Sequence, residues 1–155
     1  MELKSEFLCD MAVDVLPGFQ VGQAPFGTRV IAPFAGGRFS GPRFRGVVLP
    51  AGGDWFLIRG DGVMEIDVRA ILQTDDGHVL NAIYGGRMVI PTALMEQAFD
   101  PERVEHVDPA DYYFRTTPVF EAASDSPYGW LNGKVAAGVG RLTRSGVAYK
   151  IYLIE

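Results

Sequence analysis

Apolar and polar residues alternate one by one over much of the chain. The clearest run is Val63 to Gln73: Met64, Ile66, Val68, Ala70 and Leu72 share one parity, and Val63, Glu65, Asp67, Arg69, Ile71 and Gln73 the other. A period of two marks a β-strand with one buried face. Thr74-Asp75-Asp76-Gly77 has the composition of a hairpin turn, with glycine supplying positive φ. His78 to Tyr84 is therefore predicted to return antiparallel, ending at Gly85-Gly86. Near the N-terminus Phe7, Cys9, Met11, Val13 and Val15 share a parity opposite to Asp10 and Asp14, up to Pro17-Gly18. Arg29 to Phe34 and Phe44 to Leu49 are shorter strands, with Gly36-Gly37 and Gly41-Pro42 as turns. Asp54 to Arg59 is closed by Gly60-Asp61-Gly62, and Tyr112 to Glu121, Trp130 to Leu142 and Gly146 to Ile154 complete the set. One short helix is predicted over residues 91–99, from Pro91 to Phe99, stopped by Asp100-Pro101. The polar, acidic stretch from there to Asp111 reads as a connection.

These eight or nine mostly antiparallel strands predict an all-β fold, a single closed β-barrel spanning 1–155. Closure is favoured because it leaves no sheet edge unpaired. An open two-sheet sandwich is the alternative.

Composition sharpens this picture. A chain of 155 residues that is 48% hydrophobic buries a core without cross-links, and its 19 glycines and 10 prolines disfavour a helical bundle. Cys9 is the only cysteine, so no intramolecular disulfide or thiolate cluster can form. A net charge of −5 argues against nucleic acid as a partner. The local cluster Arg38, Arg43 and Arg45, interleaved with Phe39 and Phe44, suits a small acidic ligand or nearby aspartates better. No apolar run approaches the roughly 18 residues of a membrane span, and no leader-like segment opens the chain. A soluble, cytoplasmic protein without a membrane partner is expected.

Familiar catalytic motifs are missing. There is no glycine-rich phosphate loop and no nucleophile elbow, and His78 and His106 lie too far apart for a common zinc spacing. No metal and no cofactor are therefore expected. What remains are polar residues placed on strands. If the polar parity faces water, Asp67 and Arg69 form a solvated ion pair worth less than about 1 kcal/mol. If it faces a lumen, those groups are desolvated and fit for acid–base work. On that second reading Asp67 is the candidate acid or base, and Arg69 and Arg115 bind an oxyanion. Tyr84 and Asn132 donate or accept hydrogen bonds, Trp55 and Trp130 form walls, and Arg43 binds ligand. Both parities of Gly146 to Ile154 are largely apolar, so a homo-oligomer covering the outer wall is expected. The predicted activity is cofactor-independent proton transfer on a small, partly apolar, oxygenated metabolite: an isomerase, cyclase, dehydratase or related lyase, with hydrolysis left open. The alternative is a non-catalytic barrel that binds or carries a small apolar or acidic metabolite. A third is an interaction module whose barrel is filled by its own side chains.

Several consecutive motifs carry a family resemblance. Ile31-Ala32-Pro33 leading into Gly36-Gly37-Arg38-Phe39-Ser40-Gly41-Pro42-Arg43-Phe44-Arg45-Gly46 resembles the signature of domain-of-unknown-function family 3237. So do Pro50-Ala51-Gly52-Gly53-Asp54-Trp55, Arg59-Gly60-Asp61-Gly62, Leu72-Gln73-Thr74-Asp75-Asp76-Gly77, Tyr113-Phe114-Arg115-Thr116-Thr117-Pro118 and Trp130-Leu131-Asn132. The resemblance covers essentially the whole chain and is weakest over Val89 to Asp111. It implies a compact β-barrel and an association with small-molecule metabolism, and transfers no catalytic residue.

Overall fold

Strand follows strand in the computed structural model, which describes residues 2–155. They are β1 (Ser5–Val15), β2 (Phe19–Ala24), β3 (Gly27–Ser40), β4 (Arg45–Asp54), β5 (Leu57–Ile58), β6 (Met64–Thr74) and β7 (Val79–Val89). The helix α1 (Thr92–Ala98) comes next, then β8 (Tyr113–Glu121), β9 (Ala136–Thr143) and β10 (Gly146–Ile154). Eight strands lie side by side in the order β1-β10-β9-β8-β7-β6-β4-β3, and β1 pairs again with β3 to close the ring. All pairings are antiparallel. The protein is the closed all-β barrel with one inserted helix that the alternation predicts. Outside the ring, β2 continues along β3 and β5 bridges β3 to β6.

Closure depends on backbones that approach closely at the seam. Gly37 of β3 faces Val13 of β1 with φ +155°, and a Cβ there would lie 2.2 Å from the Ala12 carbonyl oxygen. Gly52, at φ +95°, sits where β4 slips register against β6.

One end of the barrel is filled. Leu72, Leu80 and Leu131 have no exposed surface, and Phe44 stacks between Phe39 and Phe120 at ring distances of 4.6 and 6.0 Å. These side chains lie near the β6–β7 turn, whereas the opposite end opens into a pocket.

The strands depart from their predicted bounds for local reasons. A bulge between Phe7 and Cys9 turns both Leu8 and Cys9 inward, and Phe7 packs edge-on against Tyr152 instead. Gly36-Gly37 and Gly85-Gly86 lie inside strands rather than at turns, and Gly37 and Gly86 serve close backbone approach there. Only Leu57–Ile58 of the segment after Asp54 pairs as a strand. Gly129–Gly133 coils into a 3₁₀ turn, so the strand predicted from Trp130 begins at Ala136.

Candidate functional site

Cross-strand register decides which side chains face inward, because residues paired directly across a sheet point to the same side. Ala32, Asp54, Val68, Tyr84 and Pro118 form one such row over β3, β4, β6, β7 and β8. Val68 and Tyr84 are 1% and 2% exposed, so the row faces the lumen and carries Asp54 with it. Its neighbours Asp67 and Arg69 belong to the opposite parity.

Asp54 lines a pocket of about 470 Å³, within the range of small-molecule sites. Its walls include Phe34, Phe56, Ile66, Met88 and Phe114. The rim is built from the β1–β2 connection, the segment from Ala98 to Pro101 after α1, and the β9–β10 turn. Across the mouth Arg144 of that turn pairs with Glu102 at 2.7 Å. Burial pushes the Asp54 carboxyl up to about 7 and the neighbouring Asp67 charge adds to this; the Asp67 backbone N–H and the charge of Arg29 oppose the rise. That N–H donates to Asp54 Oδ1 at 2.9 Å. Oδ2 accepts no hydrogen bond from the described residues.

Two tyrosines stand beside this carboxyl. Tyr149 of β10 lines the pocket, and its ring meets that of Tyr84 edge-on at 5.7 Å. The Tyr84 hydroxyl is fully buried and has no aligned hydrogen-bond partner. Burial raises both phenols above their ordinary range, so both remain neutral donors at any physiological pH.

The other nominated residues lie elsewhere. Asp67 and Arg69 pair with each other at 3.2 Å, with side chains 61% and 56% exposed, so the expectation that they face the lumen is corrected by the register. Arg115 is also on the outer face, where it donates to the Phe114 carbonyl and lies over the Tyr113 ring. Trp55 is exposed one position beyond Asp54, and its carbonyl accepts from Arg29. Trp130 is covered by the Arg43 guanidinium, 3.6 Å from its ring centre, so neither reaches the pocket. Asn132 is used structurally, accepting from the Ala122 N–H and donating to the Ala122 carbonyl. Of the eight nominated residues, Tyr84 alone reaches the lumen. Asp54 and Tyr149 were missed as chemistry; the signal was a lone carboxylate beside Gly52-Gly53 and a tyrosine on the apolar parity of the last strand.

Among the described residues, no three His, Cys, Asp or Glu side chains converge as a metal site would require. Nor is any helix among them long and apolar enough to cross a membrane.

Comparison with known proteins agrees with this architecture. A UPF0311 protein of Clostridium acetobutylicum is 31% identical over 155 residues, covering 99% of this chain and 96% of its own. A conserved protein of unknown function from Rhodopseudomonas palustris, solved by crystallography, superposes with a TM-score of 0.90 at 26% identity, over 100% of this chain and 99% of its own. A crystal structure described as an enzyme from Penicillium herquei shares the fold at a TM-score of 0.72 and 20% identity, over 100% and 96% of the two chains. The family model described as protein of unknown function (DUF3237) matches residues 3–154, and the chain belongs to that family.

Proposed function

We propose that the protein is a cofactor-independent enzyme that moves a proton on a small, partly apolar, oxygenated molecule held in the barrel lumen. The observation that carries this reading is Asp54: a carboxyl in an apolar pocket, with its affinity for protons raised to about 7. An acid–base group works best when it titrates near the working pH, because both forms are then available. Burial achieves this here as it does at known catalytic carboxylates. The Asp67 N–H fixes one carboxyl oxygen and leaves the other facing the ligand. The largely apolar walls strengthen each polar contact once a ligand fills the pocket and displaces its water. Kinship of fold with the Penicillium herquei enzyme gives the reading further, weaker support.

A carrier barrel would need the same walls but no titrating group. The two readings separate in one experiment. The protein and its Asp54→Asn variant are incubated with a pooled metabolite extract, with turnover followed by mass spectrometry and by uptake of solvent deuterium. The enzyme reading predicts labelled or isomerised product with the native protein, and loss of at least about a hundredfold in the variant. Equal turnover by the variant removes Asp54 from the chemistry. Bound metabolites recovered unchanged and unlabelled favour the carrier.

A further inference from the structure

The same site also indicates the class of molecule it takes, an inference that rests on the proton-transfer reading and narrows it. Among the described residues, the pocket lining offers no unpaired cation. Its one lining arginine, Arg144, stands exposed at the rim and is occupied by Glu102. A carboxylate or phosphate entering would exchange water for apolar walls with the Asp54 carboxyl nearby. Arg29, whose charge reaches Asp54, is not part of the lining and donates to the Trp55 carbonyl instead. Hydroxyl donors, by contrast, are waiting. Tyr149 reaches the pocket, and the Tyr84 hydroxyl behind it is buried without an aligned partner. A buried donor without an acceptor is a standing penalty that a small rotation or a ligand relieves.

We propose that Tyr149, backed by Tyr84, donates a hydrogen bond to the carbonyl oxygen of a neutral, largely apolar ketone or aldehyde whose acidic α-C–H faces Asp54. The Asp54 carboxylate takes the α-proton. The C–H electron pair becomes the C=C bond of an enolate, and the C=O π pair moves onto oxygen, where the Tyr149 hydroxyl holds the charge. Return of the proton from Asp54 to the same or a conjugated carbon restores the carboxylate and releases an isomer. Nothing is oxidised or reduced, and no co-reactant is consumed. Tyr149 is then a catalytic residue, its O–H turning from the Tyr84 oxygen to the ligand carbonyl. Tyr84 is a positioning residue, whose O–H then turns to the Tyr149 oxygen and makes Tyr149 the stronger donor.

Phenylacetone and phenylacetate serve as a matched pair of probes, alike in shape and different in charge. At about pH 8, calorimetry should find the ketone bound at least about tenfold more tightly than the carboxylate. The infrared C=O band of bound, carbonyl-labelled phenylacetone should lie below its position in an apolar solvent. It should move back up in Tyr149→Phe and part of the way in Tyr84→Phe, a response that loss of packing alone does not produce. Equal or tighter binding of phenylacetate, binding of neither probe at millimolar concentration, or an unmoved band in Tyr149→Phe overturns the substrate class. Failure of the parent reading looks different: α-deuterium exchange that persists in Asp54→Asn removes the acid–base role while leaving the ketone preference standing.

Discussion

Replacing Asp54 by Asn should stabilise the protein at alkaline pH and leave its stability almost unchanged in acid. The folded state holds the Asp54 proton up to about pH 7, against 3.8 for a free aspartate. Below about 3.8 both states carry the proton, so the residue contributes nothing pH-dependent. Between these values the folded state binds more protons than the unfolded chain, so stability falls as pH rises. Above 7 the loss is complete. The rise from 3.8 to about 7 corresponds to at most about 4 kcal/mol at about 1.4 kcal/mol per pH unit. Water reaching the carboxyl through the open mouth brings about 2–3 kcal/mol into reach as the working figure. Asn keeps an oxygen for the Asp67 N–H, so the variant removes the charge with little change in geometry. Denaturant unfolding of both proteins at several values from about pH 4 to pH 9 gives the difference directly. The variant should gain on the native protein steadily from pH 4 to 7 and then hold a constant lead. A flat difference, or one that reverses sign, refutes the account of a desolvated carboxylate.

Three further outcomes follow from the fold and its surface. Gly37→Ala should lower stability by at least about 2 kcal/mol, read by thermal unfolding, because its Cβ meets the Ala12 carbonyl at the barrel seam and its φ is unfavourable. Arg69→Ala should change stability by less than about 1 kcal/mol, since its ion pair with Asp67 is solvated, while Asp67→Ala should lower the proton affinity of Asp54 by removing a neighbouring negative charge, read as a downward shift of the Asp54 titration. Cys9 is buried, with its thiol pushed up to about 12, so a thiol reagent should label it only as fast as the chain unfolds; rapid labelling of the native protein contradicts its place in the core.

The barrel was legible because its signals are local. Alternation along Met64 to Leu72 and the Asp-Gly turn after it specify β6, its partner and the tight connection between them. The site was less legible because it depends on register, which is not local. Alternation separates Asp67 from Val68 but does not say that Asp54, on another strand, stands opposite Val68. The lumen of this barrel takes the apolar parity, so Asp54 sits among hydrophobic neighbours rather than in the charged pattern that draws attention to Asp67 and Arg69. Tyr84 is legible as the polar end of the strand that returns from the Asp-Gly turn, beside the clearest alternating run. Tyr149 was hidden by β10, where both parities are apolar. Trp130 and Asn132 were misplaced because the 3₁₀ turn at Gly129–Gly133 has the spacing of a strand without its pairing.

The account turns on the protonation of a single carboxyl inside the barrel. Carbon-13 labelling of the aspartates, with the Asp54 side-chain signal assigned by its absence in Asp54→Asn, allows that group to be titrated by NMR in the folded protein. The account predicts a midpoint near 7 for this resonance. A midpoint close to 4 means a hydrated carboxylate, and with it the enclosed acid–base centre is lost.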